Sequence, residues 1–502
     1  MALIFVLGLG LRLGAISDVP DAVGDLTGDE RVYWRVGANL RAHGVFAYET
    51  AVPSAFRAPL LPTLVRLSQG DFSRPHRSRR FMLLVWAIGF VALVAVSMKL
   101  AGMPGAYIAA ACYSLHPTLI AVSENLRTET LDVTFLAVIA LLAVRWLKDT
   151  SARNALWLGL AVGASLCARS TLFLLPLCFV AVAFIVPQWL PRKRSWAPIL
   201  LLGVALPLVP WVIRNALHFR EFIPLERRPA ALGLYYASLG HVPPLGLSKY
   251  TVLAERQDPR LAKVDTITQR RILGRLAVFN IVSQPGRYLW SVMMRFFILW
   301  GSQWPLVLLG GIALWIARKR REAWLLAGLA SYYSINAFLD LYLIRMAPAI
   351  VPLILLIALA WRECRPQVGE MDLPIQKGLL RFTRAIPIVL WLICQPFLLG
   401  DIATRMPSSL MYATRQLPEP KVFLDNVVLD ARTGRSEAAL RRLDVWGPAY
   451  GDYAALNITY GALLRGAGRE AEALGRFRRA ADLLEDVPPE RPMRQAALTA
   501  LQ

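Results

Sequence analysis

The sequence predicts an all-α integral membrane protein of about eleven spanning helices. Three observations carry that prediction. Of 502 residues, 56% are hydrophobic and 18% charged, against about 25% charged in an ordinary soluble domain. Apolar runs approaching the roughly 20 residues needed to cross hydrocarbon recur along most of the chain. The basic residues that give a net charge of +22 stand in short blocks between those runs, as in Arg192-Lys193-Arg194 and Arg318-Lys319-Arg320-Arg321. Such blocks encode membrane topology. No basic stripe runs through a polar domain, which argues against a nucleic-acid partner.

The runs that read as spans are 1–16, 81–98, 105–121, 130–147, 155–169, 171–187, 196–213, 303–317, 323–339, 342–361 and 385–400. The first carries one arginine. It lacks a basic leading segment and a small-x-small cleavage site, so it reads as a span and not as a signal peptide. Residues 288–300 contain Arg295 and read as an interfacial helix. With the N-terminus inside, the cytoplasmic links are 99–104, 148–154, 188–195, 318–322 and 362–384, each carrying Lys or Arg. One block disagrees. Arg74, Arg77, Arg79 and Arg80 fall outside, in a long loop where the charge rule is weak. Cys112, Cys167, Cys178 and Cys394 lie in apolar runs and Cys364 in a basic link, so no disulfide or metal set is indicated.

Three large outer segments remain: about 17–80, about 214–302, and a tail from 401 to 502. In the tail, Gly434-Arg435 with Ala439-Leu440 recurs 34 residues later as Gly468-Arg469 with Ala473-Leu474. Over about 425–490 this reads either as a tetratricopeptide-like pair of helix hairpins or as an Ala/Leu/Arg-rich helical hairpin with a chance echo. Both readings make the tail helical, and the first gives it a protein partner.

Five groups could carry chemistry. Gly28-Asp29-Glu30-Arg31-Val32-Tyr33 places two carboxylates just outside the first span, able to bind a divalent cation or to act as a general base, or simply to be solvated. Glu124 and Glu129 with Asp132 lie where two spans meet. Glu129 and Asp132 share a helix face, as a site or as acids favoured at a helix start. Arg169 stands between two apolar runs, paired or snorkelling. Pro210-Trp211-Val212-Ile213-Arg214-Asn215 ends a span, and Arg345 begins another. Arginines and carboxylates at one boundary fit an anionic lipid head group, since phosphate favours bidentate arginine. Walker, dinucleotide, kinase and zinc signatures are absent from the sequence, which argues against direct use of ATP. Alternating access usually leaves internal repeats, and none is evident. A flippase or transporter of a lipid-linked sugar is the competing reading.

The order of these motifs resembles the dolichyl-phosphate-mannose protein mannosyltransferase superfamily. Within it the chain is similar to bacterial members that use polyprenyl-phosphate sugars, a group that includes the aminoarabinose transferases. The resemblance rests on Asp29-Glu30 with Tyr33, Gly44-Val45-Phe46, Arg57-Ala58-Pro59-Leu60-Leu61-Pro62, Pro117 with Thr128-Glu129, and Gly159 and Gly163 leading to Arg169. It continues through Pro210-Trp211 with Arg214-Asn215, and Arg345 with Pro348 and Pro352. It covers about 1–362 and is weaker to 400. Ala58 departs from the usual proline. Arg57 stands where the aminoarabinose branch has lysine, which does not favour lipid A modification.

The resemblance implies a GT-C fold over 1–400 in a bacterial cytoplasmic membrane, with the active site facing the periplasm or exterior. It implies inverting transfer of a sugar from a polyprenyl-phosphate donor to an extracytoplasmic protein, lipid or glycan. Asp29 would be catalytic, with Glu30 beside it. Arg57, Arg169, Arg214, Arg345 and Tyr33 would hold the donor phosphate or brace the first loop. Glu124, Glu129, Trp211 and Asn215 would support them. A divalent cation, Mg2+ or Mn2+, could engage Asp29 and Glu129, because metal dependence varies within the superfamily.

Overall fold

The computed structural model describes residues 1–17, 19, 21, 26, 28–48, 53–68, 74–185, 196–226, 230–240, 253–255, 257–262, 266–339, 343–364, 424, 427–428, 431, 436–447, 454–485 and 492–501. The expected span at 385–400, the Arg192–Arg194 block, most of the 362–384 link, Gly434-Arg435 and the start of the tail lie outside the described residues. Those described are helical, with one isolated bridge between Ala47 and Pro53 and no strand.

In chain order the helices are α1 (Ala2–Ser17), α2 (Gly28–Ala42), α3 (Leu60–Ser68), α4 (His76–Leu115), α5 (Pro117–Ala121), α6 (Glu129–Lys148), α7 (Ala152–Ala168), α8 (Leu175–Ile185) and α9 (Trp196–Phe219). There follow α10 (Ala230–Ser238), α11 (Thr266–Ser283), α12 (Pro285–Gly301), α13 (Trp304–Ile316), α14 (Arg321–Tyr332) and α15 (Ile350–Glu363). The tail contributes α16 (Ser436–Trp446), α17 (Ala454–Gly466), α18 (Glu470–Leu483) and α19 (Pro492–Thr499). Among the described residues, His76–Leu115, Glu129–Lys148, Trp196–Phe219 and Arg345–Glu363 are each long and apolar enough to cross a membrane. Helices α1 and α7 and the segment Ser170–Val182 are apolar and shorter.

By backbone packing the chain divides into two units. The first comprises Met1–Arg228, Pro305–Tyr333 and Ile344–Cys394. Its helices approach closely where glycine permits. An added Cβ at Gly159 or Gly163 of α7 would run into the carbonyl oxygen of Leu200 or Val204 on α9, and one at Gly203 would lie 2.6 Å from the Leu156 carbonyl. Small residues at such a seam let backbones touch, which drives packing where lipid offers no hydrophobic effect. The span expected at 105–121 runs from the end of α4 across His116 into α5, and that expected at 81–98 falls in α4, which breaks at Gly102 (φ 68°). Only glycine visits that region without strain. Arg362, in the last turn of α15, donates Nη1 to the Leu100 carbonyl beside this break at 2.9 Å.

Arg12 of α1 is fully buried. It donates to the carbonyls of Ser114 (2.8 Å) and Tyr113 (3.2 Å) at the C-terminus of α4, to that of Gly8 (3.1 Å), and to Ser123 Oγ (3.2 Å). Its guanidinium also lies 4.4 Å from the Trp86 ring centroid. A cation at a helix C-terminus meets unsatisfied carbonyls and the negative end of the dipole.

The second unit comprises Pro229–Trp304, Ser334–Leu343 and Gln395–Gln502. In it, α10 and α11 enclose Tyr235, Ala254, Leu261, Ile272, Leu273 and Ala277. Arg295 of α12 is buried, its Nη2 2.7 Å from Ser291 Oγ, so the outer face of α12 is left apolar. In the tail, Ala439, Leu443, Tyr460, Leu464, Ala473 and Phe477 share one core. Both repeated alanines therefore point inward.

Candidate active site

The first turn of α2 aims two neighbouring acids in different directions, because successive helix residues are turned by about 100°. Asp29 meets Arg57, with Nη2 2.5 Å from Oδ1. The Asp29 side chain is 39% exposed and that of Arg57 only 3%. The guanidinium of Arg57 lies 5.0 Å from the ring centroids of both Tyr33 and Phe56. Its Nε and Nη1 are buried and have no hydrogen-bond partner among the described residues. Tyr33 is itself buried and acts electrostatically on Arg169, so it stands between the two arginines.

Glu30, expected beside Asp29 as a second catalytic acid, is buried. Its Oε1 accepts from Nε of Arg79 at 2.9 Å and from the backbone N–H of Leu126 at 2.9 Å, and Nη2 of Arg79 lies at 2.9 Å as well. These contacts tie α2 to α4 and to the turn before α6. They also explain the block at 74–80, since Arg79 is neutralised inside the protein and does not face a membrane surface as a free charge. His76, four residues from Arg80, is likewise engaged. Asp21 accepts its backbone N–H at 2.6 Å and lies 2.5 Å from its Nδ1.

Arg169 follows the end of α7 in extended backbone. Its Nη1 is 2.7 Å from Glu129 Oε1 and 3.7 Å from Asp132 Oδ2, both acids being buried and Arg169 nearly so. Arg345 acts electrostatically on Asp132, as does Glu226, whose Oε1 accepts from Ser170 Oγ at 2.9 Å. The structure therefore gathers Tyr33, Glu129, Asp132, Arg169 and Arg345 into one charged cluster. Glu226 belongs to it and was missed in the sequence, where a single acid in a basic stretch gave no signal.

Arg214 is used differently. Nη1 donates to the Ser54 carbonyl (2.8 Å) and Nη2 to that of Phe46 (3.0 Å), and the Phe46, Trp211 and Phe219 rings surround it at 5.1–5.4 Å. Asn215 donates to the Ile223 carbonyl (3.0 Å) and Trp211 to that of Leu225 (3.2 Å). Arg214 thus joins the end of α9 to the Phe46 and Ser54 carbonyls. Glu124 is half-buried in the turn before α6.

The divalent cation expected at Asp29 and Glu129 does not fit these side chains. Each carboxylate faces an arginine, and a second cation would have to compete with it. No group of three or more His, Cys, Asp or Glu that could hold a metal occurs among the described residues.

The family model described as dolichyl-phosphate-mannose-protein mannosyltransferase matches residues 57–213, a stretch that opens on Arg57 and takes in Glu129, Asp132, Arg169 and Trp211. No curated protein matches the chain in a sequence comparison. Among solved structures, the crystal structure of ArnT from Cupriavidus metallidurans bound to undecaprenyl phosphate aligns with a TM-score of 0.47 and 14% identity, over 99% of this chain and 84% of that one. The apo form of the same protein aligns with a TM-score of 0.46 and 15% identity over the same shares. Over residues 57–213 the chain is thus similar to the dolichyl-phosphate-mannose-protein mannosyltransferases.

Proposed function

We propose that the protein transfers a sugar from a polyprenyl-phosphate donor to an extracytoplasmic acceptor, with inversion at the anomeric carbon and with Asp29 as the catalytic base. The observation that carries this reading is the Asp29–Arg57 pair. The Asp29 side chain is 39% exposed, while Glu30, Glu129 and Asp132 are buried. Arg57 spends Nη2 on Asp29 and leaves Nε and Nη1 without a partner among the described residues. A buried guanidinium with unmet donors is costly, and phosphate oxygens would meet them through charge-assisted hydrogen bonds.

In this mechanism Asp29 accepts the proton of the acceptor hydroxyl. The oxygen attacks the anomeric carbon from the face opposite the phosphate. The bond from that carbon to the phosphate oxygen breaks, and polyprenyl phosphate leaves with the electron pair. Arg57 neutralises the charge that develops on the leaving oxygen, which is where fixed donors contribute most. Tyr33 keeps Arg57 stacked, and Glu30, Arg79 and Arg214 hold the first loop in register. The domain reading keeps 1–400 for transfer and 401–502 for a tetratricopeptide-like tail.

The test incubates purified protein with polyprenyl-phosphate sugars and cell-envelope fractions. Asp29→Asn is expected to lower transfer by roughly 10²- to 10⁴-fold, the usual contribution of a positioned base. Transfer at the wild-type rate in this variant would remove Asp29 from the chemistry. Movement of intact lipid-linked sugar across vesicles without sugar release would replace the reading with transport.

A further inference from the structure

Helix α11 (Thr266–Ser283) is apolar on two sides, and among the described residues only one of them is covered. Its inner face, with Ile272, Leu273, Leu276 and Ala277, packs with Tyr235 and Leu261. Its other face exposes Val278 (56%), Phe279 (66%) and Val282 (73%). A helix that is apolar on more than one side ordinarily has an apolar neighbour on each. Solvent is a poor neighbour for three adjacent large side chains.

The same face carries Arg271 and Arg275 one and two turns toward the N-terminus, where they line a shallow depression with Gly274, Val278, Phe279 and Val282. Neither arginine has a carboxylate partner among the described residues. The whole helix, Thr-Ile-Thr-Gln-Arg-Arg-Ile-Leu-Gly-Arg-Leu-Ala-Val-Phe-Asn-Ile-Val-Ser, has three arginines and no acid. The face is therefore polarised along the helix axis. It changes from cationic to apolar over eleven residues, about 16 Å at the rise of an α-helix.

The apolar end leads straight into α12. There the exposed side chains are again large and apolar: Leu289, Trp290, Met293, Phe296 and Phe297. The one cation within that helix's apolar stretch, Arg295, is turned inward. The uncovered surface of α11 is thus continuous with a surface of the same unit that has the composition of a lipid-facing belt.

We propose that this face of α11 is a membrane-interface docking surface for anionic phospholipid. Arg271 and Arg275 take the phosphate groups. Val278, Phe279 and Val282 enter the acyl layer, so the helix slants inward toward Pro285. A cationic segment beside an apolar face is the arrangement by which interfacial helices bind charged leaflets. The inference stands whether or not the chain transfers sugar.

The test uses the full-length protein reconstituted in vesicles of phosphatidylglycerol and phosphatidylethanolamine, with no polyprenyl lipid present. Photoreactive benzoylphenylalanine replaces Phe279, an exposed position that tolerates a larger ring. Illumination is expected to add the mass of one phospholipid to the peptide containing position 279. The yield is expected to fall roughly fivefold for each of Arg271→Gln and Arg275→Gln, and to fall similarly when phosphatidylcholine replaces phosphatidylglycerol. An adduct to protein, including a second copy of this chain, would overturn the proposal. So would reaction with water alone, or a yield indifferent to both arginines and to lipid charge.

Discussion

Asp29 and Glu30 are neighbours in sequence and serve different ends. Composition and motif order singled out both, but could not divide them, because their roles depend on which arginine each one meets. Arg57 is 28 residues from Asp29 and Arg79 is 49 from Glu30, separations no local pattern encodes. Arg79 left one trace in the sequence, the excess of positive charge on the wrong side of the membrane. Read as a demand for buried acids, that excess would have pointed toward Glu30. The pair makes a specific prediction. Glu30→Gln removes the carboxylate that faces the buried Arg79, which costs about 3–5 kcal/mol and should lower the thermal midpoint in detergent. The double variant Glu30→Gln with Arg79→Met removes both charges and should recover most of that loss. A double variant that is stable but inactive would instead return Glu30 to the chemistry.

Most helices were legible as elements. Expected spans at 130–147, 155–169, 196–213 and 303–317 correspond to α6, α7, α9 and α13, within a few residues except for the longer C-terminal end of α9. Hydropathy suffices there because lipid demands the same property from every spanning helix. It says less about which helices touch. Gly159 and Gly163 were noticed as part of a motif, and their partner α9 became visible only in the packing. Gly159→Val should drive a side chain into the Leu200 carbonyl and separate the seam, at a cost of at least 1–3 kcal/mol. Gly328→Ala serves as the contrast. That position on α14 has open space around it, so the substitution should be neutral or mildly stabilising. Equal midpoints for the two variants in thermal unfolding would show that the α7–α9 contact is not under steric control. The helix at 288–300 was read as interfacial because it contains Arg295. Burial of that arginine leaves an outer face suited to lipid, which the sequence could not reveal without knowing where the side chain points.

At the scale of the molecule, the links of the first unit fall into groups by contact. Three segments expected on one side come together: Arg362 reaches the Leu100 carbonyl, and Arg320 pairs with Glu363 at 3.0 Å. The acids and arginines expected on the other side form their own cluster around Arg169. The Arg12 clamp has a consequence for biogenesis. Helix α1 contains a guanidinium whose partners, the carbonyls of Tyr113 and Ser114 and the hydroxyl of Ser123, are made about a hundred residues later. Until they emerge, placing Arg12 in hydrocarbon costs about 2.5–3.5 kcal/mol. Helix α1 should therefore be retained at the insertion machinery until α4 is complete. Stalled nascent chains ending before residue 112 should leave a thiol at Gly10→Cys open to water-soluble reagent, and chains that have exposed residue 130 should protect it. Equal protection at both lengths would mean that α1 partitions unaided. The order in which the ribosome delivers this chain is thus part of how a charge is stored in its membrane.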